Sequence, residues 1–470
     1  MPEPTAYQKR ELAHVKAAGG TGLLAHSVGT GKTYTSIWSA LEGHHDRVLI
    51  VAPLRTLPSW QRSVQELSGR ELRVIRTSTK AGKAAFAAAS MGEPGWYWAN
   101  WEALVALCKE KRYDGFKKKQ VFKAVPKPFG GQRFDVVIAD EAHRAANWHT
   151  LNSQVLCRLR ADRRLALSAT PAGNKPVNIY GVLRFLWPDK YTAFGRFADQ
   201  HFSSEYNPWS TSGRGVIYLG EKVPGRVAEE APCWSIATSE EAYGELPAAS
   251  VEHVSCKLTR QQWAQYKSWK DDALAWLGDH PVAVDLPATL DMRLRQATLG
   301  ECTVEVTEDG EPRVTYAADC KSSKLDALID ILEDLPEDEK VVVYCHSRRF
   351  MTPLLARLKK AGVSAVEVSG AVRDQWQQFL SPVGPRVLCA VIPAIAEGVD
   401  GLQKVCHTEV WLSWDNSVIL NQQAIGRLHR KGQTRRVQRY VLEAPDTVDV
   451  QAVAPRLREK YRSLADSGLI

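Results

Sequence analysis

What most constrains this chain is a rhythm of short apolar strands, each closed by a turn and followed by a helical pattern. In the first stretch the strands read "GLLAH" (22–26), "RVLIVA" (47–52), "GWYWA" (95–99), "FDVVIA" (134–139) and "RRLALSA" (163–169). In the second they read "KVVVYC" (340–345), "VSAVEV" (363–368), "RVLCAV" (386–391), "EVWLS" (409–413) and "VQRYVL" (437–442). Short, nearly continuous apolar runs alternating with helices predict parallel sheets covered on both faces. The expected fold class is therefore α/β, with one lobe over 1–195, a second over 321–470 and a connecting region over 196–320. That region differs in pattern. "LTRQQWAQYKSWKDDALAWL" (258–277) carries Trp263, Tyr266, Ala273 and Trp276 at helical spacing, which predicts a packing stripe. "CTVEVTEDGEPRVTYA" (302–317) alternates on either side of a Gly-containing turn and predicts a hairpin.

Composition excludes several classes. A 470-residue chain that is 44% hydrophobic and 24% charged can build two or three cores. Its longest apolar run, "VLCAVIPAIA" (387–396), is far below the roughly 18 residues of a membrane span. No apolar segment follows a basic start, so neither a secretory signal nor a membrane partner is expected. Nine scattered cysteines without a Cys-x-x-Cys pair point to reduced thiols, an intracellular setting and no zinc site. The net charge of +8 leans towards nucleic acid.

The chemistry concentrates in two strings. "AHSVGTGKTYTS" (25–36) follows a strand and opens a helical pattern, which is the context of a phosphate-binding loop. Gly29 and Gly31 let the backbone N–H groups of Ser27, Val28, Gly29, Thr30 and Gly31 turn inward around phosphate oxygens. Lys32 would reach the outer phosphates and the Thr33 hydroxyl would ligate Mg²⁺. The general pattern has glycine where this chain has His26. "FDVVIADEAHRAAN" (134–147) runs an apolar strand into Asp140 and Glu141, at the strand end where ligands bind in parallel sheets. Asp140 would hold Mg²⁺ through water, and Glu141 would orient and deprotonate the attacking water.

These strings, in this order, resemble the superfamily 2 helicases and more specifically the Snf-type DNA translocases. "AYQ" (6–8) resembles the adenine-reading motif, with Gln8 in that role. "APLRTLPSW" (52–60) is similar to motif Ia, with Trp60 where the family often has a tryptophan. Asp140-Glu141-Ala142-His143 is similar to motif II, and Ser168-Ala169-Thr170 to motif III, which would couple hydrolysis to movement. The segments 245–266, 293–300 and 321–328 resemble connectors of the Snf branch. "NQQAIGRLHRKGQ" (421–433) resembles the final motif. Its periodicity predicts one helix with Gln423, Arg427 and Arg430 on a common face. The resemblance implies a P-loop NTPase of two RecA-like lobes with helical and hairpin insertions between them. It also implies Gln423 near the nucleotide, and Arg427 and Arg430 as arginine fingers on the γ-phosphate of ATP, reached from the other lobe. The chain departs from many relatives at His26-Ser27, where they have Asp-Glu, and at "EGVDGLQ" (397–403), which is less glycine-rich than usual.

The implied activity is a DNA-dependent ATPase and translocase on double-stranded DNA, independent of sequence, with ATP and Mg²⁺ as cofactors. The implied location is cytoplasmic in a bacterium or virus and nuclear in a eukaryote. Two alternatives stand beside it: a strand-separating DEAH-like helicase, and a nucleotide-gated scaffold without catalysis. The basic stretch 108–133, with Lys117, Lys118 and Lys119 at its centre, is a candidate DNA-contacting loop.

Overall fold

A computed structural model describes residues 2–27, 29–43, 45–114, 119–206, 215–244, 246–277, 288–306, 312–372, 374–396 and 399–466. The chain forms two compact units, 1–245 together with 460–470, and 246–459.

The first unit is built on a seven-stranded sheet in which every pairing is parallel. Its strands are β1 (Gly22–His26), β2 (Arg47–Ala52), β3 (Leu72–Ile75), β4 (Gly95–Asn100), β5 (Arg133–Asp140), β6 (Arg160–Leu167) and β7 (Trp234–Ala237). They lie in the order β7-β1-β6-β5-β2-β4-β3. The central strands are apolar because both faces are covered: Val48, Ile50, Val136 and Ile138 share one core with Val15, Ile37, Trp60 and Val64 from the flanking helices. Two strands had no strong signature. β3 alternates buried and exposed positions at one edge, and β7 comes from the stretch expected to connect the lobes. Two antiparallel hairpins extend this unit, Lys109–Asp114 with Lys119–Ala124 and Phe202–Tyr206 with Val216–Glu221.

The second unit carries a six-stranded sheet, again wholly parallel. Its strands are β8 (Ser250–Ser255), β9 (Val341–Cys345), β10 (Ala365–Val368), β11 (Val387–Val391), β12 (Thr408–Trp411) and β13 (Gln438–Glu443), in the order β8-β13-β12-β9-β11-β10. β8 also comes from the expected connecting stretch. Helices Arg260–Leu277 and Ala288–Leu299 meet around Tyr266, Leu290, Leu294 and Ala297. Tyr266 and Trp263 therefore serve packing, while the side chains of Ala273 and Trp276 lie outside the described residues. The hairpin Thr303–Val306 with Pro312–Thr315 forms as expected. Lys324, fully buried, donates to Leu412 O at 2.7 Å and to Asp449 at 2.6 Å. A buried ammonium demands such partners, which gives the segment 321–328 a structural use.

Candidate active site

β1 ends at His26, and the chain turns into helix Lys32–Leu41 through two left-handed glycines, Gly29 (φ 84°) and Gly31 (φ 85°). Side chains other than glycine rarely adopt such angles, so this turn to the helix N-terminus depends on those residues. A Cβ on Gly31 would also come within 2.7 Å of Gln8 Nε2. Gln8 belongs to helix Ala6–Ala17, where its side-chain oxygen accepts from Thr5 N at 3.0 Å while Thr5 caps Gln8 N. The capping box thus fixes the glutamine over the glycine loop. Lys32 Nζ donates to His26 O at 2.7 Å and Ser27 O at 3.0 Å, folding back over the loop. Val28 lies outside the described residues.

His26, the departure from glycine, is fully buried and anchors the loop from beneath. Its Nδ1 lies 3.1 Å from the Tyr7 hydroxyl, which donates to Thr30 O. Its Nε2 lies 2.9 Å from Ser235 Oγ and 3.4 Å from Glu11 Oε2. Burial, helped by the Lys32 ammonium and opposed by Glu11, pushes the imidazole pKa down, so the ring is neutral at pH 7. One histidine thereby joins the first helix, β1 and β7. Position 26 signalled something unusual in the sequence; Tyr7, Glu11 and Ser235 carried no such signal.

The Asp-Glu pair stands at the carboxyl end of β5, separated from β1 in the sheet only by β6. Asp140 Oδ2 accepts the Trp60 indole N–H at 3.1 Å, and its Oδ1 accepts the Glu141 amide at 3.0 Å. Trp101, unmarked in the sequence reading, donates to Asp140 O at 3.1 Å. Burial, reinforced by Glu141, raises the Asp140 carboxyl to about 6, with Trp60 and Lys32 acting in the opposite direction. A divalent cation would hold that carboxylate ionised, and with the Thr33 hydroxyl it supplies the oxygen donors Mg²⁺ prefers. The residues fit the ion.

Glu141 sits at φ 51°, ψ 49°, a left-handed conformation that costs a residue with a Cβ roughly 1 kcal/mol. The turn brings Glu141 Oε2 within 3.1 Å of His143 Nδ1. His143 Nδ1 also lies 3.3 Å from Ser168 Oγ, which accepts the Thr170 N–H at 3.1 Å. Ser168 and Thr170 are buried, and Ala169 lies between them. Motif III therefore touches the acidic pair through one imidazole.

In the second unit the expected single helix over 421–433 is corrected. The helix is Val418–Ile425, capped by Ser417 and ended at Gly426, and the chain continues in turns with Gly432 at φ 90°. Two glycines oppose helix within this stretch, and polar periodicity concealed that. Gln423 is on the helix and buried, whereas Arg427 and Arg430 follow it. Arg427 donates to Val399 O at 2.7 Å and to Ala396 O; Arg430 pairs with Asp400 at 3.0 Å. Among the DNA candidates, Lys117, Lys118 and the Lys119 side chain lie outside the described residues.

A family model described as SNF2-related domain matches residues 7–298, well over half the chain. The chain belongs to the SNF2-related domain family. Members similar to it include Chromodomain-helicase-DNA-binding protein 1 of Gallus gallus, 23% identical over 464 residues, covering 96% of this chain and 26% of that protein. The SWI/SNF-related matrix-associated actin-dependent regulator of chromatin subfamily A-like protein 1 of Bos taurus is 24% identical over 344 residues, 72% of this chain and 33% of that protein. The uncharacterized ATP-dependent helicase YqhH of Bacillus subtilis is 23% identical over 463 residues, 93% of this chain and 74% of that protein. This SNF2-related chain spans about a quarter to two-fifths of the first four curated relatives it matches. Among solved structures, the Sulfolobus solfataricus SWI2/SNF2 ATPase core in complex with dsDNA aligns over 99% of this chain and 94% of that chain, at 17% identity and a TM-score of 0.39. No helix among the described residues is long and apolar enough to cross a membrane.

Proposed function

We propose that this chain hydrolyses ATP and couples the hydrolysis to movement along double-stranded DNA without reading its sequence. The observation that carries the reading is the convergence on one sheet edge of Lys32 and Thr33 after β1 with Asp140 and Glu141 after β5. In this mechanism the loop N–H groups cradle the phosphates, and Lys32 exchanges the carbonyls of His26 and Ser27 for the outer phosphates. Thr33 and, through water, Asp140 would hold Mg²⁺, which would supply charge neutralisation at the phosphate oxygens. Glu141, aimed by its left-handed turn and steadied by His143, orients the attacking water and accepts its proton. Gln8, above Gly31, reads the adenine. Ser168 and Thr170, linked to Glu141 through His143, pass the state of the site to the rest of the protein. The same reading assigns Gln423, Arg427 and Arg430 to nucleotide contacts from the second unit, and ATP binding and loss alternately tighten and release the grip on DNA.

The test is displacement of a triplex-forming strand from a duplex. ATP-dependent displacement is expected from the wild type. ATP hydrolysis without any displacement would remove the translocase half of the reading. A strand-separating helicase is the second reading, favoured by the DEAH and SAT strings joined through His143 and Ser168. ATPase stimulation by single strands or RNA above that by duplex DNA would select it.

A further inference from the structure

The hairpin Lys109–Asp114 with Lys119–Ala124 sorts its side chains by face. Its register sets Lys109 opposite Ala124, Lys111 opposite Phe122, Glu110 opposite Lys123 and Arg112 opposite Val121. Residues directly opposite share a face, and successive residues alternate. Lys109, Lys111 and Phe122 therefore occupy one face, with Glu110, Arg112 and Lys123 on the other. On the second face the acid is answered, because Arg112 Nε donates to Glu110 at 2.6 Å and Lys123 stands opposite. The first face is different. Phe122 is 48% exposed, and two ammonium groups from the neighbouring strand lie over its ring, Lys109 Nζ at 4.4 Å and Lys111 Nζ at 5.8 Å from the centroid. The base of the hairpin is fixed: Ala124 is buried, Arg158 donates to Ala124 O and Val125 O, and Val125 N donates to Cys108 O at 2.8 Å. A half-exposed aromatic ring with two adjacent cations is thus presented from a firm root.

Such a surface matches an unpaired polynucleotide, whose bases expose flat π faces and whose phosphates repeat on both sides. A duplex backbone would use the lysines but leave Phe122 nothing to stack on, since paired bases cover one another. We propose that this face binds an unpaired DNA strand, with Phe122 stacking on a base and Lys109 and Lys111 meeting the adjacent phosphates. The proposal rests on the DNA-motor reading above and adds a second, strand-specific contact to it.

Three variants of the full chain test it: Phe122→Leu, the double change Lys109→Gln with Lys111→Gln, and Lys123→Gln on the opposite face. Fluorescence anisotropy would follow binding of an oligothymidylate of about 15 nucleotides, a blunt duplex, and that duplex with a single-stranded tail, across a salt series. Phe122→Leu should weaken the oligothymidylate and the tailed duplex roughly tenfold with its salt slope kept. The double lysine variant should weaken both and flatten the slope by about 1.4, at about 0.7 per phosphate contact on a single strand. Lys123→Gln and all blunt-duplex binding should match the wild type. Unchanged tail and oligothymidylate binding in both front-face variants would overturn the proposal, as would an equal loss on the blunt duplex. A wild type without duplex-stimulated ATPase would instead fail the motor reading, and the binding series would still judge the hairpin face.

Discussion

At the scale of single residues, Asp140 links the site to stability. Burial and the neighbouring Glu141 raise its folded pKa to about 6, so between the ordinary carboxylate range and that value the folded chain binds more protons than the unfolded one. Stability contributed by this group is therefore present at low pH and lost as pH rises through the raised value. Asp140→Asn removes the buried charge but also one of the two acceptor oxygens that meet the Trp60 and Glu141 N–H groups, so the pH dependence isolates the charge. Without nucleotide or Mg²⁺, the stability of the variant relative to the wild type should rise by on the order of 1 kcal/mol from pH 5 to pH 7.5, and ATP turnover should be abolished at both. Thermal melts at the two pH values check this, and a difference that does not change with pH would show that Asp140 carries no such penalty.

At the scale of elements, the site depends on how closely helix Ile179–Leu186 approaches the turn after Asp140-Glu141. A Cβ on Gly181 would fall 2.2 Å from Ala145 O and 2.3 Å from Ala146 O, and Gly181 N donates to Ala146 O at 3.2 Å. Gly181→Ala should cost roughly 1–3 kcal/mol by forcing helix and turn apart. Because the displaced turn includes His143, kcat for ATP should fall more than KM rises. Denaturant melts with steady-state kinetics check this; a fully stable variant would mean the helix shifts freely. Gly181 illustrates what the sequence could not show, since a glycine inside an apolar helix announces nothing until its neighbour is known. The buried strands of both sheets were legible because each is a continuous apolar run. Edge strands β3, β7 and β8 were not, since one side of each meets no further strand and the pattern weakens. The glycine loop and the acidic pair were legible as local strings. The bonds from Trp101 to Asp140 and from His26 to Ser235 were not, because they join residues brought together only by the sheet order. The helix expected over 421–433 failed for another reason: Gly426 and Gly432 oppose helix, so the chain leaves it after Ile425, and Arg427 then meets backbone carbonyls while Arg430 meets the Asp400 carboxylate.

At the scale of the whole molecule, two parallel sheets carry two sets of charged groups, and the proposed motor assigns a nucleotide contact to each set. Among the described residues Arg430, whose side chain is 16% exposed, pairs with the exposed Asp400, and a phosphate offers a guanidinium a stronger, bidentate partner. Arg430→Ala should leave ATP binding within a few-fold and lower DNA-stimulated kcat by about 10³-fold or more. Wild-type turnover by that variant would retire the finger role. The most direct test of the central claim is steady-state ATP hydrolysis by the wild type and by Glu141→Gln, each with and without blunt duplex DNA, alongside equilibrium ATP binding. The account predicts a wild-type rate that rises with duplex DNA, and a variant that binds ATP yet turns over at least about 10²-fold more slowly in both conditions. A variant that hydrolyses ATP as fast as the wild type, or a wild type indifferent to DNA, would contradict it.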